Sequence, residues 1–575
     1  MLTRLLATFT RPYRTTIIIV LAITIFQTWI NLRLPSLNAD LINQGVALGD
    51  TEYVLQVGSQ MLALSVVLVA VSVVAVYLAS RVAMSIARDL RSAIFDKVLR
   101  LSPYEMDLFG TPSLITRNTN DVQQVQMLLT VGLTMLASAP ITVIGGVIMA
   151  IHHNAKLSIL IAVAAPLMAG VIGVVMSRAV PEFRKVQTRI DRINAVFREQ
   201  ITGMRVIRAF VRDDFERERF AKANTKLMMT QLGINRLFAL AMPSLILILN
   251  LASVGVVWFG GKLVDNNEMQ IGDLTAFISY LMQILGSVMM ATMMLILIPR
   301  AAASAERIKE VLDHELIIHD PEDPQPQGAQ GRVRFADVTY YYPGAEEPVL
   351  RDLSFQIGPG QLTAVVGSTG SGKTTLVNLL MRFVDATSGT VYINEADVKQ
   401  QTVDAVWGAV GLVPQRPYLF QGTVRETVQF GRDISDDEIW QALEIAQAAD
   451  FIRELPEGLD AHVAQGGTNF SGGQKQRLAI ARAIARKSSI YVFDDSFSAL
   501  DAATDARLRQ ALLAHTREST VLLVAQRVSS VINAERIIVL DDGRIVGMGT
   551  HHELLHTCET YQEIVASQQT AEALS

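Results

Sequence analysis

One glycine-rich segment in the second half of the chain carries the residue types needed to bind phosphate. It follows a short apolar run, residues 362–366, and precedes a helical run, which is the strand, loop and helix context that this spacing requires. Its glycines let backbone amides approach phosphates at a helix start, its lysine reaches the outer phosphates, and the next hydroxyl can ligate Mg²⁺. The pattern therefore predicts a nucleotide site. Its residues are Gly367, Ser368, Thr369, Gly370, Ser371, Gly372, Lys373, Thr374 and Thr375.

A second apolar run, residues 489–493, ends in the carboxylate of Asp494. A strand that ends in aspartate is usually structural when it stands alone. Beside a phosphate-binding loop, the same arrangement delivers a carboxylate to the metal ion that accompanies the phosphates. Asp494 and Thr374 are therefore predicted Mg²⁺ ligands.

The 575 residues that must position these groups divide into two parts of different composition. Up to about residue 312 the chain contains long apolar runs with almost no charge, and from about residue 321 it alternates short apolar strands with charged helical stretches. Each long run can cross a hydrocarbon core of about 30 Å and exceeds an ordinary core helix. The sequence predicts six spanning helices, then an α/β domain. The runs are about 16–34, 61–80, 128–151, 157–176, 237–264 and 271–298.

Lys and Arg residues set the predicted orientation of these helices. They concentrate between the second and third runs and between the fourth and fifth, whereas residues 38–53 contain Asp40, Asp50 and Glu52 without a basic residue. Positively charged connections stay in the cytoplasm. Both termini are therefore predicted to be cytoplasmic, and the two long basic connections are predicted to form helical hairpins whose tips reach another domain.

A connector rich in proline, glycine and glutamine at residues 313–331 marks the predicted domain boundary. Residues 1–312 are the predicted transmembrane domain, with an amphipathic elbow at residues 2–13, and residues 332–575 are the predicted nucleotide-binding domain. The single cysteine, Cys558, excludes an internal disulfide. Nucleic-acid binding has no support, because the basic residues follow the inner membrane face and flank helices.

Two further motifs make the chain resemble the ATP-binding cassette (ABC) family. Residues 470–474, Phe-Ser-Gly-Gly-Gln, resemble the family's signature sequence, and Gln415 in Val-Pro-Gln resembles its Q-loop. The order of six spanning helices and one nucleotide-binding domain resembles an exporter half-transporter of the type IV fold over the whole chain. The resemblance implies transport driven by hydrolysis of ATP with Mg²⁺.

The resemblance also implies roles for individual residues. Tyr342 would stack on adenine, Gln415 would bridge Mg²⁺ and the membrane domain, and Asp501 would belong to the D-loop. Residues 109–121 and 203–210 resemble the family's two coupling segments. The signature would act on ATP held by a second chain, so the chain must dimerise. Its residues after the phenylalanine are Ser471, Gly472, Gly473 and Gln474.

Three positions depart from the family pattern. Asp495 stands where the family has glutamate, Gln526 where it has the switch histidine, and Gln465 where its X-loop usually has glutamate. A carboxylate that is one methylene shorter displaces the attacking water, and a misplacement of about 1 Å can cost on the order of a hundredfold in rate. Glutamine can bond a phosphate oxygen but has no titratable imidazole. With Asp495 and Gln526 as its atypical catalytic residues, the site is predicted to bind ATP and to hydrolyse it slowly.

The substitutions at the hydrolytic positions predict what kind of partner the chain needs. Because the signature is intact while the hydrolytic side is impaired, the chain can complete a competent site on a second half-transporter that supplies its own glutamate and histidine. This resembles the impaired-site subunit of heterodimeric bacterial multidrug exporters. The resemblance implies a multi-pass protein of the bacterial inner (plasma) membrane, in contact with membrane lipids.

The predicted cargo is a small amphipathic or hydrophobic compound. Methionine adapts to varied apolar ligands, and charges in the six runs lie only near run ends, which argues against ion coupling. The alternative for the methionines is packing against helices or lipid. A lipid, peptide or siderophore transporter, an importer of the same layout, and an ATP-sensing regulatory subunit remain alternatives. The methionines of the last run are Met282, Met289, Met290, Met293 and Met294.

Overall fold

The computed structural model describes residues 2–326 and 331–573, without the side chains of residues 136, 184, 291–296, 502 and 569–573. The chain divides into two compact units. The first comprises Met1–Leu99 and Gly110–His314, and the second comprises Arg100–Phe109 and Glu315–Ser575. Residues 100–109, from the connection between the second and third apolar runs, therefore group with the nucleotide-binding part of the chain.

The first unit is helical, and six of its segments are long and apolar enough to cross a membrane. These segments confirm the six predicted apolar helices and extend well beyond the predicted runs. The segments are Leu2–Val46, Thr51–Val98, Thr111–His153, Ala155–Thr202, Asp213–Asp265 and Ile271–Met290. The helices in the first half of the chain are α1 Leu2–Thr10, α2 Arg14–Asp40, α3 Thr51–Val98, α4 Pro103–Phe109, α5 Thr111–Thr116, α6 Val122–Val131, α7 Ala137–His153, α8 Ala155–Thr202, α9 Met204–Ala209, α10 Asp213–Asp265 and α11 Ile271–Leu312.

Short polar side chains explain why the long helices restart after such short connections. The Asp50 carboxylate accepts the backbone N–H of Tyr53 at 3.0 Å and begins α3, and the Asn154 side chain accepts the N–H of Leu157 at 3.1 Å and begins α8. Each bond satisfies one of the amides that a helix start leaves unpaired. One residue, Asn154, thus separates α7 from α8.

An ionic network around the buried Asp121 joins the third spanning segment to the C-terminal end of α11. Asp121 is 2% exposed and accepts bonds from the Ser304 hydroxyl at 2.9 Å and from the Arg307 guanidinium at 2.8 Å. Arg117 donates to the backbone carbonyl of Arg307 at 2.9 Å and pairs with Glu310 at 2.8 Å. Arg117 and Asp121, which resemble coupling residues in sequence, are therefore packed within the helical unit.

We expect Arg307→Ala to lower the free energy of unfolding of the helical unit by about 2 kcal/mol, because it leaves the Asp121 carboxylate buried without its cation. Thermal or denaturant unfolding of the purified chain in detergent measures this change. Combining Arg307→Leu with Asp121→Asn removes both charges and should recover most of the loss. Equal destabilisation by the single and the double variant would show that the ion pair does not hold these helices together.

The second unit begins with a buried carboxylate that ties residues 100–109 to the connector. Glu105 is fully buried, and its side chain accepts the N–H of Ser102 at 2.8 Å and the N–H of Ile317 at 3.1 Å. Residues 313–326 are not helical. They are nevertheless attached to the second unit, since Arg382 donates to the His319 carbonyl at 2.7 Å. The described part of the connector is therefore bonded to the second unit at Ile317 and His319.

The rest of the second unit is an α/β fold built on a six-stranded sheet of order β12-β11-β3-β10-β9-β6, with a four-stranded sheet of order β2-β1-β4-β5 and a two-stranded β7-β8 pair. The strands are β1 Val333–Tyr340, β2 Leu350–Ile357, β3 Leu362–Gly367, β4 Ser388–Ile393, β5 Ala396–Asp397, β6 Val410–Val413, β7 Gly422–Thr423, β8 His462–Val463, β9 Ile490–Asp494, β10 Thr520–Val524, β11 Arg536–Asp541 and β12 Arg544–Gly549. The helices are α12 Lys373–Leu380, α13 Val403–Ala409, α14 Val424–Gln429, α15 Asp436–Ile445, α16 Ala449–Arg453, α17 Gly472–Ile484, α18 Ala502–His515, α19 His551–Thr557 and α20 Glu559–Ala573.

Hydrophobic cores on both faces explain the composition of the central strands. Strands β9 and β10 are buried at every residue and are rich in valine, leucine and isoleucine, as expected for parallel strands covered on both sides. One cluster packs α17, α18 and α20 against the large sheet, and another packs α12 between the two larger sheets. The central sheet is therefore the rigid element on which the candidate site is built.

Candidate functional site

The candidate site lies at the carboxyl edge of three parallel strands. Strand β10 pairs with β3 on one side and with β9 on the other, and the register sets Val524 beside both Val365 and Asp494. The segments that follow these strands are the glycine-rich loop, Gln526 and Asp495. Ligands of open α/β sheets bind outside the carboxyl ends of strands. Three motifs that are far apart in sequence thus meet at one edge.

The glycines of the loop are required by its geometry. Gly372 caps α12 with φ +98°, and a Cβ added there would lie 2.5 Å from the Leu350 side chain. A Cβ at Gly367 would lie 2.2 Å from the Leu540 carbonyl. Gly370 has φ +88° and faces open space. The loop therefore leaves an unobstructed approach to the amides at the N-terminus of α12, which suits a phosphate group.

Lys373 is held over this loop by oxygen atoms of the loop itself. Its ammonium donates to the carbonyls of Gly367 at 2.8 Å and Ser368 at 2.7 Å, and it lies 3.4 Å from the Ser371 hydroxyl. Burial lowers the pKa of Lys373, and the nearby Asp495 and Asp494 carboxylates oppose that shift. A phosphate bound at the open loop would add negative charge beside Lys373 and stabilise its charged form.

Asp494 and Asp495 lie side by side in different environments. Asp494 is 7% exposed, and burial raises its pKa to about 6, with a further contribution from the Asp495 charge. Asp495 has φ +46°, and its N–H donates to the Val524 carbonyl at 2.8 Å. Its carboxylate accepts a hydrogen bond from the Gln415 side chain at 3.2 Å. The structure therefore brings the predicted Q-loop residue directly to the position where the family has glutamate.

The residues at this edge fit Mg²⁺. Thr374 is exposed at the start of α12, Gln415 is exposed, and Asp494 supplies a carboxylate, so all the predicted donors are hard oxygen atoms. In the part of the chain that the structure describes, no group of three or more His, Cys, Asp and Glu residues could hold a metal ion. Mg²⁺ typically uses one or two carboxylates together with phosphates and water. A sparse oxygen site beside a phosphate loop suits that preference.

Tyr342 lies beside the same helix start. Its hydroxyl is 3.2 Å from the Thr375 hydroxyl, and its ring packs edge-on against Tyr340 with centroids 5.1 Å apart. The side chain is 38% exposed, so a large part of it remains accessible. The structure thus places the predicted adenine-stacking residue next to the first turn of α12.

The signature and D-loop residues are helix caps on other elements. The Ser471 hydroxyl accepts the N–H of Gln474 at 3.3 Å, and the Gln474 side chain accepts the N–H of Ser471 at 2.9 Å, which forms a capping box at the start of α17. Ser471 and Gly472 are exposed at this helix start. The Asp501 carboxylate accepts the N–H of Thr504 and begins α18, and these bonds lower its pKa.

Two aromatic residues near the methionines of the last run are part of the helical core. Phe277 and Tyr280 are fully buried, and the Tyr280 hydroxyl donates to the Leu32 carbonyl at 2.9 Å. Met282 and Met290 are exposed, whereas Met289 is partly buried and packs against the helical core. The side chains of Met293 and Met294 lie outside the described residues.

One contact at the site could not be anticipated from the sequence. The backbone carbonyl of Gln526 accepts a hydrogen bond at 2.7 Å from the side chain of Gln568 in α20. The Gln526 side chain itself is exposed. Nothing in the local sequence around Gln568 signals this role, because the two residues are separated by 42 positions.

Comparison with known proteins agrees with this geometry. A family model described as ABC transporter transmembrane region matches residues 17–288, and one described as ABC transporter matches residues 350–498. An uncharacterized ABC transporter ATP-binding protein of Mycobacterium tuberculosis is 45% identical over 574 residues, covering 99% of this chain and 98% of the relative. The chain belongs to the ABC transporter family. It joins the family's transmembrane region and ATP-binding domain in one polypeptide.

A second relative and a solved structure extend the comparison. An ATP-dependent lipid A-core flippase of Thiobacillus denitrificans is 32% identical over 539 residues, covering 93% of each chain. The structure of a bacterial Atm1-family ABC exporter with ATP bound superposes with a TM-score of 0.80 at 24% identity, covering 97% of this chain and 98% of that one. The predicted fold class, six spanning helices followed by an ABC domain, is confirmed.

We expect Asp494→Asn to raise the melting temperature of this transporter without nucleotide, measured in EDTA above pH 6. Because the folded pKa of Asp494 is about 6 against an ordinary value of 3.8, ionisation costs stability as the pH rises through that interval. The gain should be on the order of 2 kcal/mol at pH 7.5 and should fade towards pH 4. Asp541→Asn, at the half-buried end of β11, is the control and should change less. Parallel pH profiles for wild type and Asp494→Asn would contradict the assignment.

Proposed function

We propose that this ABC exporter subunit binds ATP firmly at its own site, hydrolyses it slowly, and completes the catalytic site of a second, different half-transporter. The observation that carries the proposal is the engagement of Asp495 with Gln415 at 3.2 Å. The position after the strand-end aspartate holds a shortened carboxylate, and the Gln415 amide occupies one of its oxygens. Such a carboxylate is poorly placed to orient an attacking water.

The binding side of the site is complete. The amides at the start of α12 and Lys373 would hold the phosphates, Tyr342 would hold the base, and Thr374, Gln415 and Asp494 would hold Mg²⁺. When bound, Mg²⁺ neutralises charge on the phosphate oxygens. Gln526 follows β10 at the same edge and would face the terminal phosphate with a side chain that can donate a hydrogen bond but cannot titrate. The site would therefore keep its ability to bind ATP while hydrolysing it slowly.

The signature supports a role across a dimer. Ser471 and Gly472 are exposed at the N-terminus of α17, a helix of 13 residues whose first amides carry partial positive charge. An exposed helix start with a serine hydroxyl can contact phosphate on another chain. Two copies of this chain would pair two impaired sites, whereas a partner with glutamate and histidine would gain one competent site. We therefore propose a heterodimer.

The proposed cargo is an amphipathic or hydrophobic compound that moves out of the cytoplasm. The relative named as a lipid A-core flippase acts on a molecule of that chemical kind, and it aligns with 93% of this chain. Exposed Met282 and Met290 would offer adaptable apolar contacts. The cytoplasmic orientation of both termini, proposed from the Lys and Arg distribution, would place the ATP site in the cytoplasm.

The decisive experiment compares ATPase activity of this chain alone and co-purified with a second half-transporter from the same organism. We expect the lone chain to be nearly inactive and the pair to be active, with the pair depending on the partner's glutamate. The double variant Asp495→Glu, Gln526→His should raise hydrolysis by the lone chain by about 10- to 100-fold, because it restores the water-orienting carboxylate and the imidazole. Hydrolysis by the unmodified lone chain at the rate of the pair would sink the proposal.

Lys373→Ala in the same double variant is the matched control. It removes the phosphate-binding lysine and should abolish the gain, which ties the recovered activity to this site. Persistence of the gain would mean that hydrolysis occurs elsewhere in the preparation.

A separate variant pair tests the proposed role of Tyr342. Tyr342→Phe loses the contact with the Thr375 hydroxyl but keeps the ring, so ATP affinity should stay within about twofold of wild type. Tyr342→Ala loses the ring and should weaken ATP binding by about tenfold, the usual order for loss of a base-stacking contact. Equilibrium binding of ATP with Mg²⁺ to the purified chain measures both. An equal loss of ATP affinity in Tyr342→Phe and Tyr342→Ala would assign the effect to the hydroxyl instead.

A further inference from the structure

The C-terminal helix α20 is anchored in the core of the second unit by one face. Tyr561 and Val565 are 0% and 9% exposed and belong to the same hydrophobic cluster as Val528 and Val531. The Tyr561 hydroxyl also lies 2.8 Å from Nδ1 of His551 in α19. Residues 561, 565 and 568 are spaced by four and three, which places them on one side of a helix. Gln568 is thereby held against the segment that follows β10.

The Gln568 side chain makes a two-point contact with that segment. Its Nε2 donates to the Gln526 carbonyl at 2.7 Å, and its Oε1 accepts the Val528 N–H at 2.7 Å. Arg527, between them, is extended at φ −93° and ψ 128°. An amide that donates to residue i and accepts from residue i+2 pairs with the backbone as a neighbouring strand would. The backbone on both sides of Arg527 is therefore restrained by one side chain from α20.

We infer that Gln568 is a positioning residue for the ATP site, which holds the backbone of Gln526 so that its side chain faces the nucleotide from the carboxyl edge of β10. This inference rests on the proposed function, which places residue 526 beside the terminal phosphate. Strand β10 ends at Val524 and the turn at Val528–Ser530 is short. The two hydrogen bonds from Gln568 span the interval between them, so α20 sets the position of residue 526.

Hydrogen exchange of the full-length chain tests the contact itself. Gln568→Ala should accelerate amide exchange in a peptide covering residues 524–531 by about tenfold, the order expected when a single amide bond loses its partner. Gln568→Glu keeps an acceptor for the Val528 N–H and should restore slow exchange there. Gln562→Ala is the matched control, because Gln562 is on the same helix but donates to the Leu555 carbonyl at 2.8 Å. Unchanged exchange in Gln568→Ala overturns the inference.

Release of radiolabelled ATP in the presence of Mg²⁺ tests the consequence for the site. We expect about fivefold faster release from Gln568→Ala and from Gln568→Glu, since both lose the donor to the Gln526 carbonyl, and wild-type release from Gln562→Ala. A variant that only destabilised the fold would have a lower melting temperature and a smaller fraction of protein able to bind ATP. Its bound ATP would be released at the wild-type rate. Faster exchange with an unchanged release rate would also overturn the positioning role.

Both measurements use this chain without its partner, so they are independent of the ATPase comparison. If the lone chain hydrolyses ATP rapidly while Gln568→Ala shows fast exchange and fast release, the heterodimer proposal fails and the positioning role stands. If the ATPase comparison succeeds and exchange is unchanged, the positioning role fails alone.

Discussion

The parallel register of β3, β10 and β9 is the constraint on which the candidate site depends. Each of these strands is buried on both faces and ends at the same edge, so the segments that follow them converge there. The glycine-rich loop lies more than a hundred residues before Asp494, Asp495 and Gln526 in the sequence, and the sheet brings them together. A slip of one residue in the pairing would also exchange the faces of the strands, which the apolar cores on both sides oppose.

Charge at this edge is unbalanced in the protein alone. Burial lowers the pKa of Lys373 and raises that of Asp494, so both groups resist their ionised forms, and each is partly relieved by the other. Phosphate oxygens beside Lys373 and a divalent cation beside Asp494 would relieve both. Asp495 is more exposed and is engaged by Gln415. The edge therefore has groups suited to bind a nucleotide and Mg²⁺. Asp495, at the position expected to orient water, has a shorter side chain than glutamate and is hydrogen-bonded to Gln415.

The sequence by itself determined the elements whose signal is local. Six long apolar runs have only one stable environment, because a helix satisfies its own backbone in lipid. The glycine-rich loop needs only its spacing and its flanking strand and helix to be recognised, and Lys373, Thr374 and Asp494 were located that way. The order of the two parts and the family followed from these motifs. The long basic connections also predicted helices that continue past the membrane, and α3, α8 and α10 do continue far beyond the apolar residues that identify them.

Only the tertiary structure decided which residues meet across long stretches of chain. Arg117 and Asp121 belong to a segment that resembles a coupling segment in sequence, and the structure shows that they bond α11 about 186 residues away. The connector is rich in proline, as flexible linkers often are, yet Glu105 and Arg382 form hydrogen bonds with its backbone. Gln568 contacts the segment around Gln526 through a helix register that no local pattern encodes. Local periodicity reports burial and element type, whereas these partners are selected by packing, which depends on the whole fold.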